Sequence, residues 1–439
     1  MGMKKQSLKR QAAITAASTG LMRALGFALR LWISQLLGAE ALGIMELASG
    51  AHMLALTPAA AGLPSAVSRL TARAGDVNKR KMILYAARQC ALAAGLVLTP
   101  LFFLLCPLIA SWMGDERTLP ALLLFTPCVL TVGLSSVYDG YFFGQGQALP
   151  PALSEGVEQL VRIAVVAALA GLAGRVTAAY RAALPALASS LGEGAGLLMI
   201  VLLAGKIPSF RGNARLSPIR RELARLSLPL LLNRLCHTGL RSLCAVVIPL
   251  RLMAGGLSRA EAMSRFGMFS GMVMPLMFLP GMLSGALSTV GGPAIARCET
   301  RRGESRLILK LVLTVLTVSA ACAGGLYLLS PWIARRFYRL PELTPLLRLS
   351  CPLAVLLPLQ QVIGGLMTGL GLQKRSLRAS LLGSAALLLC TWQWLPRFGI
   401  SGAAWASMAG HGLSLVCESV YLLCREKKAA PRTPQAQAE

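Results

Sequence analysis

Two blocks of thirty residues or more, Met82–Met113 and Phe266–Ile295, hold a single charged residue between them, Arg88. A helix needs only about 20 apolar residues to cross a hydrocarbon layer of about 30 Å. Lipid offers the backbone no water to bond to, so such a segment closes its N–H and C=O groups on itself as a helix. The pattern extends along the chain, which is 55% hydrophobic and 14% charged, with mean hydropathy +0.63. A soluble chain carries about a quarter charged residues. A soluble protein with a very large core is excluded on that ground, and the fold class is an all-α membrane protein.

Apolar blocks and their breakers place about twelve transmembrane helices, at 11–37, 42–68, 82–112, 119–138, 152–173, 178–205, 223–250, 266–295, 307–333, 349–372, 379–395 and 402–424. Alternate connections on one side of these spans carry 27 Lys and Arg, and those on the other side carry 11. The excess marks the cytoplasmic face. An even number of spans with both termini cytoplasmic follows, as for a multi-pass inner (plasma) membrane protein. The net charge of +27 therefore belongs to membrane orientation. No basic, aromatic-interleaved platform of the kind single-strand binders use accompanies it, so nucleic acid is not an expected partner. The basic start Met1–Arg10 runs into a stretch bearing Arg23 and Arg30 without a small-residue exit, so no cleaved signal is expected.

Two features recur along the chain. Arg23 and Arg30 stand seven apart on helix 1, and Arg234 and Arg241 stand seven apart on helix 7. That spacing puts each pair on one helical face, two turns apart. Helix 4 ends in G-x-x-x-G-x-G (Gly140, Gly144, Gly146), and helix 10 ends in the same pattern (Gly365, Gly369, Gly371). The chain thus divides into an N-terminal six-helix bundle (1–205), a cytoplasmic basic linker (206–222), a C-terminal six-helix bundle (223–424) and a cytoplasmic tail (425–439). Two parallel repeats of this kind place a substrate site between them near the bilayer midplane. Close helix packing accounts for the glycines equally well, and arginine can snorkel to an interface. Arg30 and Arg234, however, lie well inside their spans, where charge normally faces a cavity or a partner.

The segments RALGFALRLWISQLLGAEALGIMELA (23–48), AGLPSAVSRLTA (61–72), YDGYFFGQGQALPPALSEGVEQLVRI (138–163) and GISGAAWASMAG (399–410) carry a family likeness. They resemble the polysaccharide flippases of the multidrug/oligosaccharidyl-lipid/polysaccharide exporter superfamily, in particular the stage V sporulation protein B type. That resemblance implies a V-shaped pair of six-helix bundles that moves an undecaprenyl-diphosphate-linked glycan by alternating access. The cargo would be a polysaccharide or peptidoglycan precursor, with spore cortex as one destination. The partners it implies are the lipid-linked glycan, membrane lipids and glycan synthases. The helix 1 pair has direct support from the resemblance through R-x-x-G-F-x-x-R; the helix 7 pair rests on the repeat and on the cost of charge in lipid.

A diphosphate crossing a low-dielectric region suits arginine, whose planar fork stays charged and engages two oxygens at once. Arg23, Arg30, Arg234 and Arg241 are therefore the candidate substrate-binding residues. Glu158 and Arg162 stand at i, i+4 with the acid first, the order of an intrahelical ion pair. Glu46 and Glu193 have no such local partner and are candidates for ion coupling or for balancing a cavity arginine. His52, His237 and His411 are too scattered for a metal site. The 11 cysteines form no C-x-x-C pair, and read as small buried hydrophobes. No phosphate-binding G-x-x-x-x-G-K-[ST] loop or other catalytic module is present, so neither an enzyme nor a cofactor is expected. Two other functions compete with flipping. A sodium- or proton-driven drug exporter of the same superfamily would favour acids rather than arginines in its cavity. A non-transporting scaffold for glycan synthesis would have no central cavity.

Overall fold

The computed structural model describes residues 2–205, 216–281, 284 and 301–428. Among them the regular structure is helical. The helices are α1 (Gly2–Ala60), α2 (Leu63–Arg73), α3 (Val77–Trp112), α4 (Leu119–Gly144), α5 (Leu149–Leu169), α6 (Ala178–Ala204), α7 (Ser217–Ala254), α8 (Arg259–Phe266), α9 (Met274–Met277), α10 (Arg301–Trp332), α11 (Leu343–Ser350), α12 (Leu353–Gly369), α13 (Gln373–Phe398) and α14 (Ile400–Lys428). Seven helical runs among the described residues are long and apolar enough to cross a membrane, including the 50 residues Ala24–Arg73. That run contains the expected span 42–68 and the second half of 11–37. Those at 152–173, 379–395 and 402–424 fall on α5, α13 and α14, where interspersed charged and polar residues lower the apolar signal. The expected span 266–295 is described only in its first part, and its remainder lies outside the described residues.

Glycine chemistry sets the ends of several spans. Gly38 interrupts α1 with φ 72° and ψ 172°, a conformation that costs a side-chain-bearing residue strain. The helix on either side is thereby redirected into two legs. The expected span 42–68 is itself broken: α1 stops at Ala60, and α2 starts at Leu63 with Pro64 in its first turn. The two G-x-x-x-G-x-G stretches close their helices in the same way. After α4, Gly146 takes φ 72°, and the Gln147 amide donates to the Phe142 carbonyl at 2.9 Å. After α12, Gly371 takes φ 74°, and the Leu372 amide donates to the Met367 carbonyl at 2.8 Å. This six-to-one bond across a left-handed residue satisfies carbonyls that the helix end leaves open.

Packing follows the logic of a lipid solvent. On α3, Ala86, Ala87, Ala91, Gly95 and Cys106 are buried, while Leu96, Val97, Phe103, Leu104 and Trp112 are exposed. Small residues let helices approach, and large apolar ones face outward where lipid solvates them. Two compact units result. One comprises residues 1–276, 331–346 and 391–403, and the other residues 277–330, 347–390 and 404–439. In the first, Val67, Leu70, Leu84, Tyr138, Ile200 and Leu223 belong to one apolar cluster that joins α2, α3, α4, α6 and α7. In the second, Val315, Leu359, Val362 and Leu366 form a smaller cluster between α10 and α12.

A capping box starts α8: the Ser258 hydroxyl accepts from the Glu261 amide, and the Glu261 carboxylate accepts from the Ser258 amide at 3.0 Å. The hydrogen bonds from Ser258 hold the Glu261 carboxyl below its ordinary pKa. Ser258→Ala should speed amide exchange in the first turn of α8 by about fivefold, with Ser258→Asp close to wild type. Hydrogen-exchange mass spectrometry reads this directly, and equal exchange in all three proteins would refute the cap.

Candidate functional site

The first charged constellation forms around the bend in α1. Arg30 and Glu46 each lie eight residues from Gly38, one on either leg. At 1.5 Å per residue each is about 12 Å from the bend, so folding the legs back brings the two side chains level. Arg30 Nη2 donates to Glu46 Oε1 at 2.7 Å. The Glu46 side chain is 16% exposed, whereas that of Arg30 is 45% exposed and keeps an open edge.

Helix α7 brings a second basic face to the same place. The Ser242 hydroxyl donates to the Gly50 carbonyl at 2.7 Å, which ties α7 to the second leg of α1 one turn from Glu46. Arg241, next to Ser242, lies close enough to Glu46 to act on it by charge. Arg234 and Arg241 are both exposed, and half-buried His237 stands between them within reach of both charges. Neither arginine pairs with a carboxylate among the described residues. Arg23 lies two turns before Arg30 on α1, and its side chain is outside the described residues. Arg30, Arg241 and Glu46 are thus brought together, with Arg234 two turns further along the same helix.

The second constellation joins α5 and α6. Arg162 Nη2 bonds Glu158 Oε1 at 2.6 Å within α5 and Glu193 Oε1 at 2.6 Å on α6. Glu193, without a local partner by spacing, therefore shares the arginine of the α5 pair. Gly192 makes the approach feasible: a Cβ there would stand 2.6 Å from Arg162 Cγ and 2.9 Å from the Glu158 carbonyl oxygen. Asp139 on α4 adds a further carboxyl within electrostatic reach of Glu193.

Two other polar groups emerge from tertiary contacts alone. Arg117 bonds Asp115 Oδ2 at 2.7 Å and Glu40 Oε1 at 2.5 Å, clamping the α3–α4 connection to the bend of α1. Glu418 on α14 is 2% exposed and accepts from the Ser376 hydroxyl at 2.8 Å. Charge in these stretches is visible in sequence, but no helical spacing links the partners.

The long helices, the bent first span and the arginines of α1 and α7 are the features of a multispanning membrane protein with charge set inside its spans. Residues 8–299 match the family of polysaccharide biosynthesis proteins. The chain belongs to that family. Within it, the chain is 29% identical to "Stage V sporulation protein B" of Bacillus subtilis (strain 168) over 426 residues, covering 93% of this chain and 82% of the relative. Among solved structures, "Lipid II flippase MurJ, inward closed conformation" matches with TM-score 0.75 at 15% identity, covering 94% of this chain and 87% of that one. An inward-facing multidrug resistance MATE family transporter of the MOP superfamily matches with TM-score 0.73 at 18% identity, covering 95% and 100%. This polysaccharide biosynthesis family member thus has the fold of that superfamily's membrane transporters.

Proposed function

We propose that this protein is an inner-membrane flippase for an undecaprenyl-diphosphate-linked glycan precursor, of the peptidoglycan or polysaccharide type. Transport proceeds by alternating access between the six-helix halves 1–205 and 223–424, with both termini in the cytoplasm. The observation that carries the reading is the Arg30–Glu46 pair on α1, with Arg241 of α7 near enough to act on the same carboxylate by charge and Arg234 continuing the basic face. A carboxylate bonded to a guanidinium mimics one phosphate oxygen pair. Glu46 balances Arg30 while the site is empty, and the diphosphate takes its place on loading. Arg23 extends the helix 1 face by two turns. Glu193, held by Arg162, provides the second site of charge balance. The likeness to a sporulation protein supports cortex peptidoglycan as the destination.

The test is translocation of a fluorescent undecaprenyl-diphosphate-linked disaccharide in proteoliposomes, read by quenching from one side. Arg30→Ala and Arg241→Ala should each slow the initial rate about tenfold or more, since each removes one cation from the face that holds the diphosphate. Arg30→Lys should recover only part of the rate, because an ammonium cannot present the planar fork. Wild-type rates in both alanine variants would remove the arginine face from the mechanism.

A further inference from the structure

On the side of the membrane where Lys and Arg are scarce, 11 against 27, two arginines stand at the ends of neighbouring helices. Arg251 is in the last turn of α7, and Arg397 is in the last turn of α13. We propose that the cleft between these helix ends holds the phosphate of an anionic phospholipid headgroup in the extracytoplasmic leaflet.

The local chemistry begins with Pro396. Its nitrogen carries no hydrogen, so the carbonyl four residues earlier, that of Trp392, loses its helical donor. Arg251 Nε supplies that bond at 3.0 Å. The same guanidinium lies 4.3 Å from the centre of the Trp392 ring, a stacking that holds its plane. The Nη edge of Arg251 then remains for another acceptor. Arg251 lines a cavity of about 550 Å³ together with Trp392, Gln393, Trp394, Pro396 and Arg397, and no carboxylate is among the described lining residues.

A helix-to-helix staple alone would need only the Arg251 Nε bond. It would explain neither a second arginine nor an open cleft between two tryptophans. Two guanidiniums converging without an acid call for an anion with several oxygens, and phosphate matches the planar fork. The source is a lipid rather than a solute because Trp392 is 53% exposed at a helix end. Tryptophan concentrates at headgroup level, where its ring is half in hydrocarbon and its N–H in water.

The test uses the full chain purified into detergent and titrated with phosphatidylglycerol or phosphatidylcholine, with bound lipid counted by native mass spectrometry. Wild type should retain one phosphatidylglycerol that Arg251→Gln/Arg397→Gln binds about tenfold more weakly, while phosphatidylcholine binding stays unchanged. Arg397→Gln alone leaves the Arg251–Trp392 contact intact and should still weaken retention about threefold, which separates lipid binding from misfolding. Arg335→Gln/Arg336→Gln removes equal charge from exposed positions outside the cleft and should retain the lipid. Equal retention in wild type and the cleft variants overturns the proposal. Displacement of the lipid by millimolar inorganic phosphate overturns it too, by assigning the cleft to a soluble anion.

Discussion

Gly43→Ala is expected to lower the melting temperature of the purified protein by several degrees, whereas Gly325→Ala leaves it unchanged or raises it. A Cβ on Gly43 would overlap the Met263 carbonyl oxygen and stand 2.9 Å from its carbon. The contact is reciprocal, for a Cβ on Gly267 would overlap the Ala39 carbonyl oxygen and stand 2.6 Å from the Gly43 nitrogen. Every atom in the way belongs to backbone, so no rotamer change relieves the clash. The second leg of α1 must instead move away from the end of α8 and the wide helical turn Gly267–Val273 that follows it. Overpacking of this kind costs about 1–3 kcal/mol. At Gly325 in α10 an added methyl meets nothing within 4 Å, and alanine gains about 1 kcal/mol of helix propensity over glycine. The two substitutions should therefore differ in sign, and identical melting in thermal-shift measurements would contradict the close approach.

Arg162→Ala is expected to be the most destabilising charge substitution in the first compact unit. It leaves Glu158 and Glu193, only 20% and 17% exposed, facing each other without their shared cation. Breaking a buried pair by removing one member costs about 3–5 kcal/mol, because the remaining charge keeps its desolvation penalty. Adding Glu193→Gln should recover a large part of that loss, since the double variant removes the repulsion together with the counterion. Glu158→Gln alone should be mild, because Glu193 still holds the guanidinium. Chemical denaturation in detergent of wild type, Arg162→Ala, Glu193→Gln and their double variant forms a cycle whose coupling should reach about 1–3 kcal/mol. Additive effects would mean that the three groups do not act as a unit.

Much of the molecule was legible in its pattern of apolar blocks and basic connections, because lipid penalises any other arrangement. The glycine repeat was legible for a related reason: the same left-handed turn after α4 and α12 requires the same residue at Gly146 and Gly371. The pairing of charges was less accessible. Glu158 and Arg162 share a helix turn, so their spacing announces the bond. Glu193 reaches Arg162 from another helix, 31 residues away, across a gap that Gly192 keeps open. Glu46 meets Arg30 only because Gly38 redirects the chain, and a glycine in sequence does not state the direction of a bend. The break at 61–62 was hidden because a proline such as Pro64 can also stand inside a continuous span.

Local hydropathy decides partition into lipid one segment at a time, so the amino-acid pattern alone makes this chain a multispanning helical membrane protein. That pattern also determined the candidate arginine faces of α1 and α7, because helical periodicity places residues seven apart on one side. Packing between helices is what pairs Arg30 with Glu46 beside Arg241, lets Glu193 share Arg162, and sets Arg251 over Trp392. Each of these depends on how far one helix can approach another, a distance set by glycines and bends rather than by the charged residues themselves.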